Sequence, residues 1–305
     1  MTWFIQRMFH FFIVILGVTT LVFIALRLTG DPAAMLLPAD ATVQELEMAR
    51  EKLSLNEPLL SQYLTFVANA FTGNFGISFQ HGTDATAIVL ERLPASGLLA
   101  GSALLMASLF AIPLGVLAAV FRGTAIDFTV MALAVIGQGI PFFWLGLMLI
   151  LIFGVELRMF PTGGYGGIEH LILPSLTLAG YIAASTARLA RSSMLEVLSR
   201  DYIQTARAKG LPPYVVLLKH GLKNASIPMV TFLGLQMGLL LGGTVVVEEI
   251  FGWPGVGRLL LQAISYRDYP VVQAATFILA MVFVLVNLIV DLLYGVLDPR
   301  VREQR

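Results

Sequence analysis

The chain has 305 residues, of which 57% are hydrophobic and 12% charged, with 19 basic and 19 acidic side chains and a mean hydropathy of +0.84. A soluble domain carries roughly twice that share of charge, so the composition is that of an α-helical chain crossing a membrane several times. Zero net charge gives no basis for a nucleic-acid or broadly acidic partner, and the absence of cysteine excludes a disulfide framework, thiolate catalysis and thiolate metal sites.

The first apolar run covers residues 9–28, preceded by Arg7 and closed by Arg27. A cleavable leader has a shorter apolar region, about 7–15 residues, ended by a small-x-small site. This run has the length of a crossing, so residues 1–30 are expected to form an uncleaved first transmembrane helix.

Residues 31–95 differ in character and read as a small, water-exposed, extracytoplasmic helical insertion. Thr42-Val43-Gln44-Glu45 has the capping-box spacing, in which a hydroxyl and a carboxylate satisfy the free N–H groups of a helix start. Pro58 and Gly73 bracket a second helix by the asymmetry of proline early and glycine late. Residues 74–82 carry turn residues. Capping the bundle and contacting substrate are both open roles for this segment.

Five further apolar runs follow, at 97–121, 128–155, 171–187, 227–247 and 271–293, giving six expected transmembrane helices. Pro113 and Pro141 each remove a backbone hydrogen bond and predict kinks. Residues 96–298 thus read as a five-helix transmembrane core and 299–305 as a tail. Arg7, Arg122, Arg188, Arg191, Arg200, Arg207, Lys209, Lys219, Lys223 and the tail Arg300, Arg302 and Arg305 fall on one side, against Arg158, Arg258 and Arg267 on the other. The basic side is expected in the cytoplasm, with both termini there.

A cytoplasmic loop at 193–224 separates the fourth and fifth runs. Ser193-Met-Leu-Glu196 offers a helix start, and Gly210 followed by Pro212-Pro213 a stop. A second short helix is expected over 214–222. Small Thr205, Ala206 and Ala208 stand beside basic Arg207, Lys209 and Lys219, a surface that admits close approach of another backbone. From these residues alone, docking and mere orientation of the helices are about equally supported.

Asp201-Tyr-Ile-Gln-Thr-Ala-Arg-Ala-Lys-Gly-Leu211 resembles the EAA loop of binding-protein-dependent ABC importer permeases, in their oligopeptide, dipeptide, glutathione and nickel branch. Gln204-Thr205-Ala206 stands in the Glu-Ala-Ala places and Gly210 on the glycine, while His220-Gly-Leu-Lys223 departs from the Ile-x-Leu-Pro of other branches. Further strings agree in order: Arg27-Leu-Thr-Gly-Asp-Pro32, Gly73-Asn-Phe-Gly-Ile-Ser78, Asn224-Ala-Ser-Ile-Pro228, Phe251-Gly-Trp-Pro-Gly-Val-Gly-Arg258, Arg267-Asp-Tyr-Pro270, Val290-Asp-Leu-Leu-Tyr294 and Leu297-Asp-Pro-Arg300. The resemblance implies a type I ABC importer permease fold in a bacterial inner membrane. It implies no catalysis by this chain, with ATP and magnesium held by two separate ATPase subunits. It also implies a second homologous permease subunit and a periplasmic or lipid-anchored substrate-binding protein. Asp201, Gln204, Thr205, Ala206, Arg207, Ala208, Lys209, Gly210 and Leu211 are then the ATPase-coupling residues. The implied cargo is a small peptide of dipeptide, oligopeptide or glutathione type, with a nickel or metal chelate as the alternative.

The remaining motifs yield less. Gly252-Trp-Pro-Gly-Val-Gly257-Arg258-Leu259 has P-loop glycine spacing but lacks the lysine and the hydroxyl that do its chemistry, so a turn in a re-entrant or lid element is expected. His10, His81, His170 and His220 include no pair at helical spacing, which leaves no metal site within the chain. No acid falls at mid-span and no repeat is evident, against a secondary transporter. Polar residues within spans usually face a bundle interior, so Gln138, beside the Pro141 kink, and Gln236 are the pathway candidates, with interhelical bonding the equal alternative. Asn287 and Asp291 share a face near the inner end, and Glu248 and Glu249 close the fifth run outside, either meeting a charged substrate or sitting solvated.

Overall fold

Helix-forming and helix-breaking residues divide the chain into an all-α succession, seen in a computed structural model that describes residues 2–28, 42–52 and 55–297. Among the described residues no strand forms; a lone bridge pairs Ile77 with Asp84. The expectations on Asp31, Pro32, residues 298–305 and the start of the insertion lie outside the described residues.

The helices are α1 (Thr2–Leu28), α2 (Val43–Lys52), α3 (Leu59–Thr72), α4 (Ala85–Val120), α5 (Ala125–Gly139) and α6 (Phe142–Leu149), the last continued by a π-helical stretch Ile150–Glu156. There follow α7 (Ile168–Leu198), α8 (Asp201–Ala208), α9 (Pro213–Val215, continued as a π-helix over Val216–Leu222), α10 (Lys223–Ile250), α11 (Val256–Ser265) and α12 (Tyr269–Leu297). By length and apolarity α4, α7 and residues Tyr269–Val290 of α12 qualify as crossings among the described residues, and up to five do if each bent pair of helices is one crossing.

Local signals set several boundaries as expected. The capping box forms: Thr42 N–H donates to Glu45 Oε2 at 2.7 Å, and Glu45 N–H to Thr42 Oγ1 at 3.3 Å. The Thr42 backbone bond, then its hydroxyl, holds the Glu45 carboxyl below its usual range. Pro58 precedes α3, and Gly73 ends it in the left-handed region at φ 74°.

Two expectations are corrected. Pro141 does more than kink: α5 stops at Gly139, α6 restarts at Phe142, and the two axes differ by 101°. Pro141 lacks the N–H that would continue the ladder, and Gly139, two residues before it, is a poor helix former, so the helix breaks between them. By contrast, α4 continues as one helix through Pro113. Ser193 starts no helix, because α7 runs on to Leu198 with Ser193 buried inside it and Glu196 paired with Arg200.

The chain divides into two compact units, Met1–Ala95 with Pro254–Val284, and Ser96–Trp253 with Leu285–Arg305. In the first, Ile15, Ala70, Phe75, Val89, Val271 and Phe277 belong to one apolar core. Buried Asp268 there accepts bonds from the Ser78 hydroxyl and from the N–H groups of Phe79 and Gln80, both at 3.2 Å. Two of the strings noted in the sequence, 73–78 and 267–270, are thus joined by one carboxylate.

In the second unit α7 is the central helix, packed by α5, α6 and α10. Arg191 on α7 donates from Nε and Nη2 to both carboxylate oxygens of Asp127, the second at 2.7 Å, clamping α5 onto α7. At Gly115 of α4 a side-chain carbon would meet Ala190 Cβ at 2.6 Å and crowd the Ala187 carbonyl. Gly115→Ala should therefore lower the detergent-solubilised thermal midpoint, equivalent to about 1–3 kcal/mol of overpacking; an unchanged midpoint contradicts the close α4–α7 approach.

Candidate coupling loop and translocation cavity

The segment between α7 and α10 is built to hold α8 rigidly. Asp201 sits in the first turn of α8, where the helix dipole favours an acid. Gly210 ends the helix with φ 77°, its N–H on the Arg207 carbonyl at 2.9 Å, and Pro212-Pro213 prevents continuation. The inner face of α8 carries Ile203 and Ala206, both buried, packed with Val216 of the following π-helical stretch and with Val197 and Leu198 at the end of α7. Asn224 Nδ2 donates to the Tyr202 hydroxyl at 3.1 Å, joining α8 to the base of α10.

Helical spacing then decides what faces outward. Asp201, Gln204, Thr205 and Ala208 fall at i, i+3, i+4 and i+7 and are all exposed, with Arg207, Lys209, Gly210 and Leu211 at the rim. Ala206 is different: its methyl is part of the loop's own core and is not on the outer surface. The second short helix is not separate either, since 213–222 passes directly into α10 and so ties α8 to a long apolar helix. Beside α8 lies an open groove of about 910 Å3 lined by Val120, Arg122, Arg207, Leu211, Tyr214 and Leu217.

A second feature lies among α6, α7 and α10. A cavity of about 310 Å3 is lined by Phe142, Tyr181, Ile182, Gln236, Leu239 and Leu240. Gln236 thus opens onto a cavity, whereas Gln138 is exposed and does not line it. Tyr181, absent from the sequence-based candidates, supplies a second polar group; a large polar-tipped side chain directly after Gly180 within the 171–187 run was the available signal.

Glu248 meets neither expectation made for it. It is fully buried and accepts the Ser96 hydroxyl at 2.6 Å, while Glu249 stays exposed. Phe251 and Trp253, in the turn that follows, are also buried, and Gly164 N–H donates to the Phe251 carbonyl at 2.7 Å. The P-loop-like stretch is therefore a packed turn leading into α11. His170 lies with its Nδ1 3.0 Å from the Gly163 carbonyl, and among the described residues no three His, Asp or Glu side chains gather as a metal site. Asn287 is half-buried; the side chain of Asp291 lies outside the described residues.

Sequence comparison matches residues 111–303 to the family described as "Binding-protein-dependent transport system inner membrane component". Residues 1–100 match its companion, "Binding-prot-dependent transport system membrane comp, N-term". The chain is similar to the glutathione transport system permease protein GsiC of Escherichia coli (strain K12), 43% identical over 286 residues, covering 93% of this chain and 94% of that one. It is equally similar to the protein of that name from Shigella dysenteriae serotype 1 (strain Sd197). Among solved structures, two inward-facing crystal forms of the MetNI methionine ABC transporter share the fold, at 20% identity and TM-scores of 0.57 and 0.59, over 69% of this chain and 96% of theirs.

Proposed function

The chain belongs to the family of binding-protein-dependent transport system inner membrane components, and from that premise we propose that it is the permease subunit of an ATP-driven importer of glutathione or similarly small peptides. The family is one of transport permeases and not of catalytic subunits, and its members work with ATPase and substrate-binding partners. The observation that carries the cargo is the 43% identity over nearly the whole chain to glutathione permeases.

In this reading α8 is the coupling helix. Its outer face, Asp201, Gln204, Thr205 and Ala208, meets one of two ATPase subunits, which hold ATP and magnesium, and Arg207 and Lys209 pair with acids on the partner's rim. Closure of the ATPase pair moves α8, and the seating of Ile203 and Ala206 on the 213–222 segment passes that motion into α10. The cavity at Tyr181 and Gln236 lies on the cargo path, completed by a second permease chain, and a substrate-binding protein delivers cargo from outside. Six crossings, α1 the first, would put both termini on one side, and the arginines and lysines of the short loops on that side make it the cytoplasm.

Gly210 gives a specific test, because its φ of 77° suits glycine and asparagine and strains a β-branched residue by about 1–2 kcal/mol. In proteoliposomes holding the complete importer, Gly210→Val should reduce glutathione uptake about tenfold at normal insertion, while Gly210→Asn retains it. Equal uptake by both variants contradicts the coupling role, and nickel-chelate uptake without glutathione uptake contradicts the cargo.

A further inference from the structure

The helix α3 fits poorly with the water-exposed insertion that its place in the chain suggests. Its 14 residues, Leu59–Thr72, include no charged side chain. Leu60, Leu64 and Phe71 lie along one stripe and are 69%, 58% and 52% exposed. A contiguous bulky apolar stripe of this kind is not left to water.

The neighbours of α3 show its level. Tyr63 and Phe66 pack their rings on Phe23 of α1 at 5.4 and 5.8 Å, and the Tyr63 hydroxyl bonds Thr20 at 2.7 Å. Phe71 meets Phe277 of α12 at 6.5 Å, and Phe75 meets the same ring at 5.3 Å. Arg27, over the Phe23 ring, and Arg267, just before α12, mark where charge begins. At 1.5 Å per residue, Phe23 lies about 6 Å inside Arg27, and Phe277 about 12 Å inside the start of α12 at Tyr269. Half of a hydrocarbon core is about 15 Å thick. After Phe75 the chain returns to the charged level, where Ser78 bonds Asp268.

We propose that α3 and the turn after it form a re-entrant element seated in the leaflet that holds the Arg27 end of α1, with Leu60, Leu64 and Phe71 against lipid acyl chains. The polar stripe of α3 agrees, for Thr65 and Asn69 face away from lipid into a cleft of about 280 Å3 shared with Gln62 and Gln273. Lipid is favoured over a protein partner because chains packing together in a membrane use small residues for close approach, and this stripe is leucine and phenylalanine. Phe12, Leu16, Leu21 and Ile24 of the neighbouring α1 are exposed as well.

The chain has no cysteine, so a single thiol can be introduced cleanly. Leu64→Cys is spin-labelled on the purified chain, assembled into the full importer and reconstituted in 3:1 phosphatidylethanolamine and phosphatidylglycerol vesicles. Collision with oxygen should exceed collision with a water-soluble nickel chelate, and the order should reverse at Gln44→Cys on α2. Dominance of the nickel chelate at position 64 overturns the proposal in favour of a water-exposed helix. Low collision with both probes overturns it in favour of a covering protein chain. Leu60→Cys repeats the measurement should the first variant not assemble, and the outcome is independent of cargo and of membrane orientation.

Discussion

Ile203→Asp should abolish uptake while leaving the chain inserted in the membrane. Ile203 is fully buried at the centre of the cluster that seats α8, with Ala206 and Val216 beside it and Val197 and Leu198 packed against them. A lone carboxylate forced into that cluster costs several kcal/mol, which a small apolar cluster does not offset. The helix would leave its seat, and its outer face would lose the orientation on which the proposed docking depends. Uptake should fall more than tenfold, with ATPase subunits lost on purification in detergent. Ile203→Val, which removes a single methylene at about 0.5–1.5 kcal/mol, should keep most activity. Full uptake by the aspartate variant would mean that α8 is not a lever.

The second large effect is expected at Asp268. Its carboxylate is buried and accepts three bonds from residues 78–80, and the Ser78 hydroxyl in turn accepts the His81 N–H at 2.9 Å. A hydrogen bond to a charged group contributes about 1.5–3 kcal/mol, and three sharing one acceptor are less than additive. Asp268→Ala should therefore cost about 3–5 kcal/mol, read as a lower thermal midpoint and new protease cleavage within 76–82. Ser78→Ala, which keeps both backbone donors on the carboxylate, should cost about 1–2 kcal/mol. Equal effects of the two substitutions would show that the carboxylate is not the anchor.

The contrast between these two sites shows what the sequence made legible. Gly210 with Pro212-Pro213, Thr42 with Glu45, and Pro58 with Gly73 were readable because each acts within a few residues of itself, by φ or by a missing or satisfied N–H. Ser193-Met-Leu-Glu196 has an equally local signature and misled, because burial along α7 outweighs the preference of serine for a helix start. Pro141 was readable as a weak point, but the 101° angle depends on how α6 packs against α7.

The remaining misses are long-range. Glu248 looks like a helix-end charge until Ser96, 152 residues away in the chain, is placed against it. Asp268 is one letter of a family string until Ser78, 190 residues earlier, meets it. Within the coupling loop the residue types pointed to the outer face, but Ala206 turned inward because Ile203, three residues before it, sets the buried side of α8. The pathway pair divided in the same way, with Gln236 on a cavity and Gln138 away from it.

The central claim is that the exposed face of α8 rests on an ATPase subunit during transport. Its most direct test is cross-linking from single cysteines at Ala208 and, as an inward-facing control, at Ala206, in the assembled importer with and without ATP. The account predicts a strong cross-link to an ATPase subunit from position 208 and little from 206. No cross-link from position 208 in an importer that still takes up glutathione would contradict it.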